Sequence, residues 1–219
     1  MPTSVTTKAT KICSSHYQLN KDFFIQENKS HWSYWFSEKN CNLDLLSVGS
    51  LNTDAAASAI TAHNLLSDKE VEFQSIIENT KLKGRCDVVN NFILDVSHNP
   101  ASVKNLISFI EKNFKNQKFK AIFAAMSEKD SSSIIKEIAH LISEWNIGFI
   151  EDKRFDIPSL IKLTKSKVNV NVNIADTVYS AVERGYYEGT PYIVFGSFIT
   201  VSEAYRALDK IKLLNRENS

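Results

Sequence analysis

Nothing in this sequence is apolar for long enough to cross a bilayer as a helix, which takes about 20 predominantly apolar residues. Cysteine is scarce. Cys13, Cys41 and Cys86 are odd in number, widely separated and never arranged as Cys-x-x-Cys, so they read as reduced thiols, not as a disulfide framework or a zinc site. The five histidines are scattered without a His-x-x-x-His pair, and no metal ligands are expected on this chain. The six glycines (Gly49, Gly84, Gly148, Gly185, Gly189 and Gly196) never gather into a Gly-x-x-Gly-Lys-Ser/Thr run. The loop that cradles ATP phosphates with backbone N–H groups and a lysine is therefore missing from these residues. Charge of one sign is missing too: the formal net charge is +1, too balanced for nucleic acid or an anionic membrane to be the main partner. Residues 1–11 hold no apolar run and no arginine, so neither a secretory signal nor organelle targeting is expected, which leaves the cytoplasm. Internal repeats and low-complexity segments are absent.

What is present suits a soluble globular chain. With 219 residues, 43% hydrophobic and 23% charged, it can bury a real core, as one large domain or a medium domain with an attached remnant. The first part alternates in short polar and apolar runs. His31-Trp32-Ser33-Tyr34-Trp35-Phe36 reads as an aromatic strand, and residues 49–54 as a turn ending in helix-capping residues. Residues 55–66 read as an alanine-rich helix, and 71–79 as a shorter one.

From residue 87 the pattern becomes a regular alternation of strand and helix. Apolar runs at 92–96, 121–125, 147–150 and 192–195 predict buried strands, and Val168, Val170 and Val172 alternate as in an edge strand. Val103, Leu106, Ile107, Ile110 and Phe114 recur at helical spacing after Pro100. Ile134, Ile135, Ile138, Leu141, Ile142 and Trp145 form a second such stripe. Residues 158–164, 175–187 and 201–214 read as further helices. The order predicts an α/β fold, a mostly parallel Rossmann-like sheet with helices on both faces, with a boundary near residues 81–85. In such sheets ligands gather at the carboxyl ends of the strands, which draws attention to residues 95–100, 126–130 and 196–200.

Four segments carry candidate chemistry, and each has a plain structural alternative. In Asp95-Val96-Ser97-His98-Asn99-Pro100 the carboxylate can accept ribose hydroxyls or help hold a cation, and the imidazole can orient or deprotonate an amine. The same residues also make a strand-to-helix turn with a cap. Gly196-Ser197-Phe198-Ile199-Thr200-Val201 can offer backbone N–H groups to an anion, or simply cap a helix. Leu82-Lys83-Gly84-Arg85 can set a guanidinium fork over a phosphate, or leave a solvated arginine. Ser127-Glu128-Lys129-Asp130 is a charged loop or a solvated turn.

Taken together in this order and spacing, the four segments resemble the carboxy-terminal domain of the folylpolyglutamate synthase/dihydrofolate synthase family, relatives of the Mur ligases. The family's usual forms are Leu-Pro-Gly-Arg, Asp-x-Ala-His-Asn-Pro, Asp-Lys-Asp and Gly-Ser-Phe-His-Thr-Val. The resemblance covers residues 85 to about 208 well, and reaches more weakly back to about residue 12. It implies that 85–219 form a Mur-ligase-like carboxy-terminal α/β domain. It further implies that 1–84 are a remnant of the ATP-binding, P-loop domain. The implied activity is an ATP-dependent amide ligase joining L-glutamate to dihydropteroate or a folate through an acyl phosphate. ATP and Mg2+ serve the complete enzyme, with the Mg2+ ligands outside this chain. Arg85 and Asp95 correspond to residues reaching ATP, and His98 and Ser197 to residues near the glutamate and the reaction centre. Alanine at any of the four is expected to lower turnover without unfolding the domain.

The departures matter as much. Without a P-loop the chain is expected to be truncated and inactive alone, with a separate P-loop domain as its partner. Lys83 stands for the family's proline, Ile199 for its histidine and Ala124 for a glycine. The asparagine expected before the alanine-rich helix finds an uncertain counterpart around Asn52-Thr53-Asp54. The alternative is a non-catalytic module derived from that domain, binding a nucleotide, a folate-like ligand or a protein partner. A missing neighbour is also expected to leave Trp32, Tyr34, Trp35 and Phe36 exposed and prone to self-association.

Overall fold

The structure, a computed structural model, describes residues 3–28, 31–47 and 51–217. The chain divides into two compact units, Met1–Lys81 and Leu82–Ser219.

The first unit opens with helix α1 (Thr3–Lys11). Strands β1 (Phe24–Glu27), β2 (His31–Phe36) and β3 (Cys41–Ser47) then form an antiparallel sheet in the order β1-β2-β3. Helices α2 (Thr53–Leu66) and α3 (Phe73–Asn79) complete the unit. Of the turn expected at 49–54, Gly49 and Ser50 lie outside the described residues. Asn52 caps α2 by accepting the Ala55 N–H at 3.0 Å, so this asparagine is spent on its own helix.

The expectation of exposed aromatics does not hold. Strand alternation puts Trp32, Tyr34 and Phe36 on one face, at 1%, 1% and 0% exposure. They form a core with Ala57, Ile60 and Ile77 of the two helices. The Tyr34 hydroxyl is satisfied by Thr61 Oγ1 at 2.8 Å. Trp35, on the other face, stacks on Phe24 directly across the strand pair, with centroids 5.6 Å apart. Helices α2 and α3 cover the sheet from within the unit, so its apolar face needs no missing neighbour.

The second unit contains strands β4 (Asp87–Val89), β5 (Phe92–Leu94), β6 (Phe119–Phe123), β7 (Ile142–Gly148), β8 (Asn171–Ala175) and β9 (Tyr192–Phe195). Its helices are α4 (Pro100–Asn113), α5 (Ser131–Ile138), α6 (Ile157–Lys167), α7 (Val178–Glu188) and α8 (Phe198–Glu217). The sheet runs β4-β5-β9-β6-β7-β8, and only β4 is antiparallel to its neighbour. Each residue of β5 and β9 is buried, as central strands covered by helices require. Strand β8 lies at one edge, mostly exposed, where the valine alternation placed an edge strand. It begins at Asn171, later than that alternation suggested.

The stripe running from Ile134 to Trp145 is not one helix. Helix α5 stops at Ile138, a 3-10 turn spans Ala139–Leu141, and Ile142 and Trp145 belong to β7. Short apolar runs fit both periods. Here β7 lies between β6 and β8, and Trp145, fully buried, is opposite Ala121 and Val172. Extended backbone satisfies N–H and C=O groups on both sides, which a longer helix at this place would forgo. Ala175 likewise ends β8 instead of starting a helix, and Thr177 caps α7 with Ser180 in a reciprocal capping box.

Candidate functional site

Strand order brings the motif segments together. Strands β5, β9 and β6 are adjacent and parallel, with Leu94 level with Val194 and Phe123 level with Phe195. The segments after them, starting at Asp95, Gly196 and Ala124, therefore leave one edge of the sheet side by side. Strand β4 runs the other way, so the turn before it, with Gly84 and Arg85, reaches the same edge.

Asp95 is 3% exposed and turned inward. Its Oδ2 accepts the Cys86 N–H at 2.7 Å and faces the Cys86 thiol at 3.4 Å. Its Oδ1 accepts the Ser97 N–H at 2.8 Å and the Ser97 hydroxyl. Both oxygens are thus engaged with the protein's own loops, and the carboxylate ties the Arg85 turn to the segment after β5. The Cys86 thiol, half-buried and facing this carboxylate, is pushed far up, first by burial and then by the Asp95 charge, so it stays protonated. Arg85 itself is exposed and makes no salt bridge with a described residue.

His98 is half-buried beside Phe198, with ring centroids 5.9 Å apart. Its Nδ1 lies 2.9 Å from the Val96 carbonyl, which can only accept. Nδ1 therefore carries the proton, and in the neutral ring Nε2 offers a lone pair away from the backbone. Asn99 and Pro100 behave as the turn alternative predicts: Asn99 caps α4 in a capping box with Ser102, and Pro100 opens the helix.

Ser197 is 3% exposed and is used as a cap: its Oγ accepts the Thr200 N–H at 3.0 Å and meets Thr200 Oγ1 at 2.7 Å. Thr200 Oγ1 in turn donates to the Ala124 carbonyl at 2.7 Å, fastening the start of α8 to the end of β6. Gly196 makes this approach possible. Its φ is +116°, and a Cβ there would fall 2.4 Å from the Ala124 oxygen. The Gly196 N–H donates to the Ser97 carbonyl at 2.9 Å, so the segments after β5 and β9 are joined directly. Ile199, where the family has histidine, packs on the hydrophobic core.

In the loop after β6, Asp130 caps α5 by accepting the Ser133 N–H at 3.0 Å, and Lys129 pairs with Glu128 at 3.0 Å. Ser127 binds the neighbouring loop: its N–H and hydroxyl both reach the Arg154 carbonyl, at 2.8 and 2.9 Å. Arg154 holds Asp152 through Nε and through Nη2 at 2.6 Å. These hydrogen bonds hold the Asp152 carboxyl down to about 2. A depressed carboxylate contributes stability above its ordinary pKa of roughly 3.9, and that contribution is lost as pH falls through about 2. The Asp152 carboxyl carbon should therefore titrate by NMR near pH 2. In Arg154→Ala it should rise toward about 3.9 but stop short of it, because the backbone N–H of residue 154 still donates to Asp152. A wild-type midpoint already at the ordinary value would mean the pair does not form in solution.

The four residues singled out in the sequence thus share one rim but differ in posture. Among the described residues Arg85 makes no salt bridge and His98 Nε2 no hydrogen bond, whereas Asp95 and Ser197 are engaged in holding the rim together. Thr200 and Ser97 were not singled out, although both lie inside the recognised motifs. Their signal was the ordinary one of Ser and Thr beside a helix start.

No family model matches the chain. Two curated dihydrofolate synthase/folylpolyglutamate synthases from Buchnera aphidicola are similar to it. The one from subspecies Baizongia pistaciae is 27% identical over 203 residues, covering 89% of this chain and 47% of that protein. The one from subspecies Acyrthosiphon pisum is 26% identical over 217 residues, covering 89% and 51%. The chain therefore spans about half the length of the curated relatives it matches. Among solved structures, E. coli FolC in complex with DHPP and ADP superposes with a TM-score of 0.85 at 19% identity, covering 97% of this chain and 52% of that one. A bifunctional folylpolyglutamate synthase/dihydrofolate synthase with Mn, AMPPNP and L-glutamate bound gives 0.82 at 23%, covering 95% and 51%. Over nine-tenths of its length this chain is thus similar in sequence to curated dihydrofolate synthase/folylpolyglutamate synthases, and it shares the fold of solved enzymes of that name.

Proposed function

We propose that this chain supplies the carboxy-terminal part of an ATP-dependent ligase that joins L-glutamate to dihydropteroate or a folate, working beside a segment that carries a P-loop. In this reading residues 85–219 are the carboxy-terminal domain and 1–84 the end of the ATP-binding domain. One observation carries it: the motif segments converge on a single sheet edge, with a guanidinium and an imidazole lone pair left free there. The similar E. coli FolC, solved with DHPP and ADP, and the bifunctional synthase solved with Mn, AMPPNP and L-glutamate supply the ligand chemistry.

The roles follow from posture. Arg85 neutralises phosphate charge during transfer to the acceptor carboxylate, where preorganised cationic donors act most strongly. His98 Nε2 faces the incoming glutamate amine and takes its proton as the amine attacks the acyl phosphate and phosphate leaves. Asp95, with Ser197 and Thr200, keeps Arg85 and His98 in register, and a misplacement of about 1 Å can cost on the order of 10²-fold. Mg2+ would neutralise the nucleotide phosphates. Among the described residues no three His, Cys, Asp or Glu side chains are grouped to hold a metal.

The test is ADP release dependent on glutamate and dihydropteroate. The chain alone should give none, and adding a separately made P-loop domain should restore it. In that mixture Arg85→Ala should lower kcat by about 10²-fold and His98→Ala by a similar factor. Full turnover by the chain alone would remove the need for a P-loop. Ile199, which replaces a polar family residue with core packing, favours a second reading as a non-catalytic binding module. Nucleotide or folate binding without turnover in the mixture would select it.

A further inference from the structure

Arg85 stands on a turn whose backbone is tied on every side. Its own N–H donates to the Leu82 carbonyl at 3.1 Å, and the Gly84 carbonyl accepts the Val96 N–H at 2.8 Å. The Cys86 N–H goes to Asp95, as described. The remaining tie comes from far along the chain: the Gly84 N–H donates to the phenolic oxygen of Tyr205, on α8, at 2.7 Å. The Tyr205 hydroxyl in turn donates to Asp87 Oδ2, just past the turn. Burial, then this hydrogen bond, raise the Tyr205 phenol well above its ordinary pKa, so it keeps its proton through the neutral range. Lys83, where the family has proline, sets its ammonium 5.8 Å from the centre of the Tyr205 ring. Gly84 has φ +70°, and a Cβ there would come within 3.0 Å of Val96 and 3.2 Å of Val201, so the turn has little room to adopt another shape.

We infer that Tyr205, oriented by Asp87, is a positioning residue that fixes the Gly84–Arg85 turn and so presents the Arg85 guanidinium to phosphate. This rests on the phosphate role proposed for Arg85. A tyrosine that only filled space would need its ring alone. Here the hydroxyl bridges a backbone N–H and a carboxylate on either side of the arginine.

The test uses the full chain, 15N NMR of the Gly84 amide and the Arg85 Nε–H, and titration with inorganic tripolyphosphate. Tyr205→Phe keeps the ring. It should speed Gly84 amide exchange by about tenfold or more while β9 amides stay protected, and should loosen the Arg85 Nε–H. Tripolyphosphate binding should weaken several-fold, and in Arg85→Ala by about tenfold. Asp87→Asn retains an acceptor oxygen and should behave as wild type, whereas Asp87→Ala should follow Tyr205→Phe and gives the same readout should the latter fold poorly. An unchanged Gly84 amide in Tyr205→Phe and Asp87→Ala, with Arg85-dependent binding intact, overturns the inference alone. A loosened turn with unchanged binding also overturns it. Binding that does not depend on Arg85 removes the phosphate role of that residue, and the inference with it, whatever the Gly84 amide does.

Discussion

Gly196→Ala should destabilise the second unit by about 4 kcal/mol or more, the largest effect expected of any single methyl group added here. Two costs add. The backbone at φ +116° is one that L-residues rarely adopt, and the new Cβ would sit 2.4 Å from the Ala124 oxygen and 2.8 Å from a Phe123 ring carbon. Neither neighbour can withdraw easily. The Ala124 carbonyl is held by Thr200, and Phe123 is fully buried among Trp145 and Phe195. Nor can the Gly196 backbone simply turn, because its N–H is committed to Ser97. Against a total stability of roughly 5–15 kcal/mol, this loss leaves a marginal fold. With a urea slope of about 2 kcal/mol/M the midpoint should fall by about 2 M. A shift under about 0.5 M would mean that the close approach of Gly196 to Ala124 past the ends of β9 and β6 tolerates a side chain.

Asp95→Ala should be costly for a different reason, and in a way that separates a scaffold carboxylate from a ligand-facing one. Removing it strands the Cys86 N–H and the Ser97 N–H, and leaves the Ser97 hydroxyl only the Ser102 carbonyl at 3.0 Å, in a place where Asp95 and Ser97 are almost wholly buried. Each buried donor left without an acceptor costs about 1–3 kcal/mol, and water reaching some of them brings the expected total to about 3 kcal/mol. The Arg85 turn would lose one of its ties at the same moment. Asp95→Asn keeps an acceptor oxygen but points an NH2 at another donor, and should fall between wild type and alanine. A carboxylate that mainly met ATP would behave otherwise, since its removal from the free protein would change stability by less than about 0.5 kcal/mol. Denaturation without any ligand therefore decides the question. Alanine at Asp95 is still expected to lower turnover, and this geometry adds a loss of stability to that expectation.

The departures from the family pattern have local physical accounts. Ala124 can replace a glycine because the close approach at this crossing is made by Gly196: the Ala124 carbonyl, not its methyl, faces the crossing. Lys83 replaces a proline and gains a contact with the Tyr205 ring. Ile199 exchanges a polar contact for apolar packing. Only the last removes a group able to meet a ligand, and it bears most directly on whether the rim still performs chemistry.

Much of the second unit was legible because its central strands are covered on both sides and so read as unbroken apolar runs, as in Tyr192-Ile193-Val194-Phe195. Asn99-Pro100 and Gly196-Ser197 were legible for another reason: caps and sharp turns admit few residue types. The residues of β3 and β4 gave no comparable signal. Strand β4 is three residues long and only partly buried, and its pairing is set by β5, not by its own pattern. At Trp145 local spacing suited a helix, and the neighbouring strands decided otherwise. In the first unit the aromatic strand was recognised, yet its alternation needed the Ala57 and Ile60 face of α2 before burial could be known.

The sequence by itself determined which residue types stand at the ends of the strands: an arginine, a histidine, and the glycine and serine of a tight turn. Motif order is a property of the chain, and its resemblance to the folylpolyglutamate synthase/dihydrofolate synthase family is what implied ATP-dependent amide chemistry. Only the tertiary structure decided which of them face outward. Whether a carboxylate meets a ligand or a backbone N–H depends on what lies within about 3 Å of it, and for Asp95 and Tyr205 those neighbours are set by crossings of segments distant in sequence.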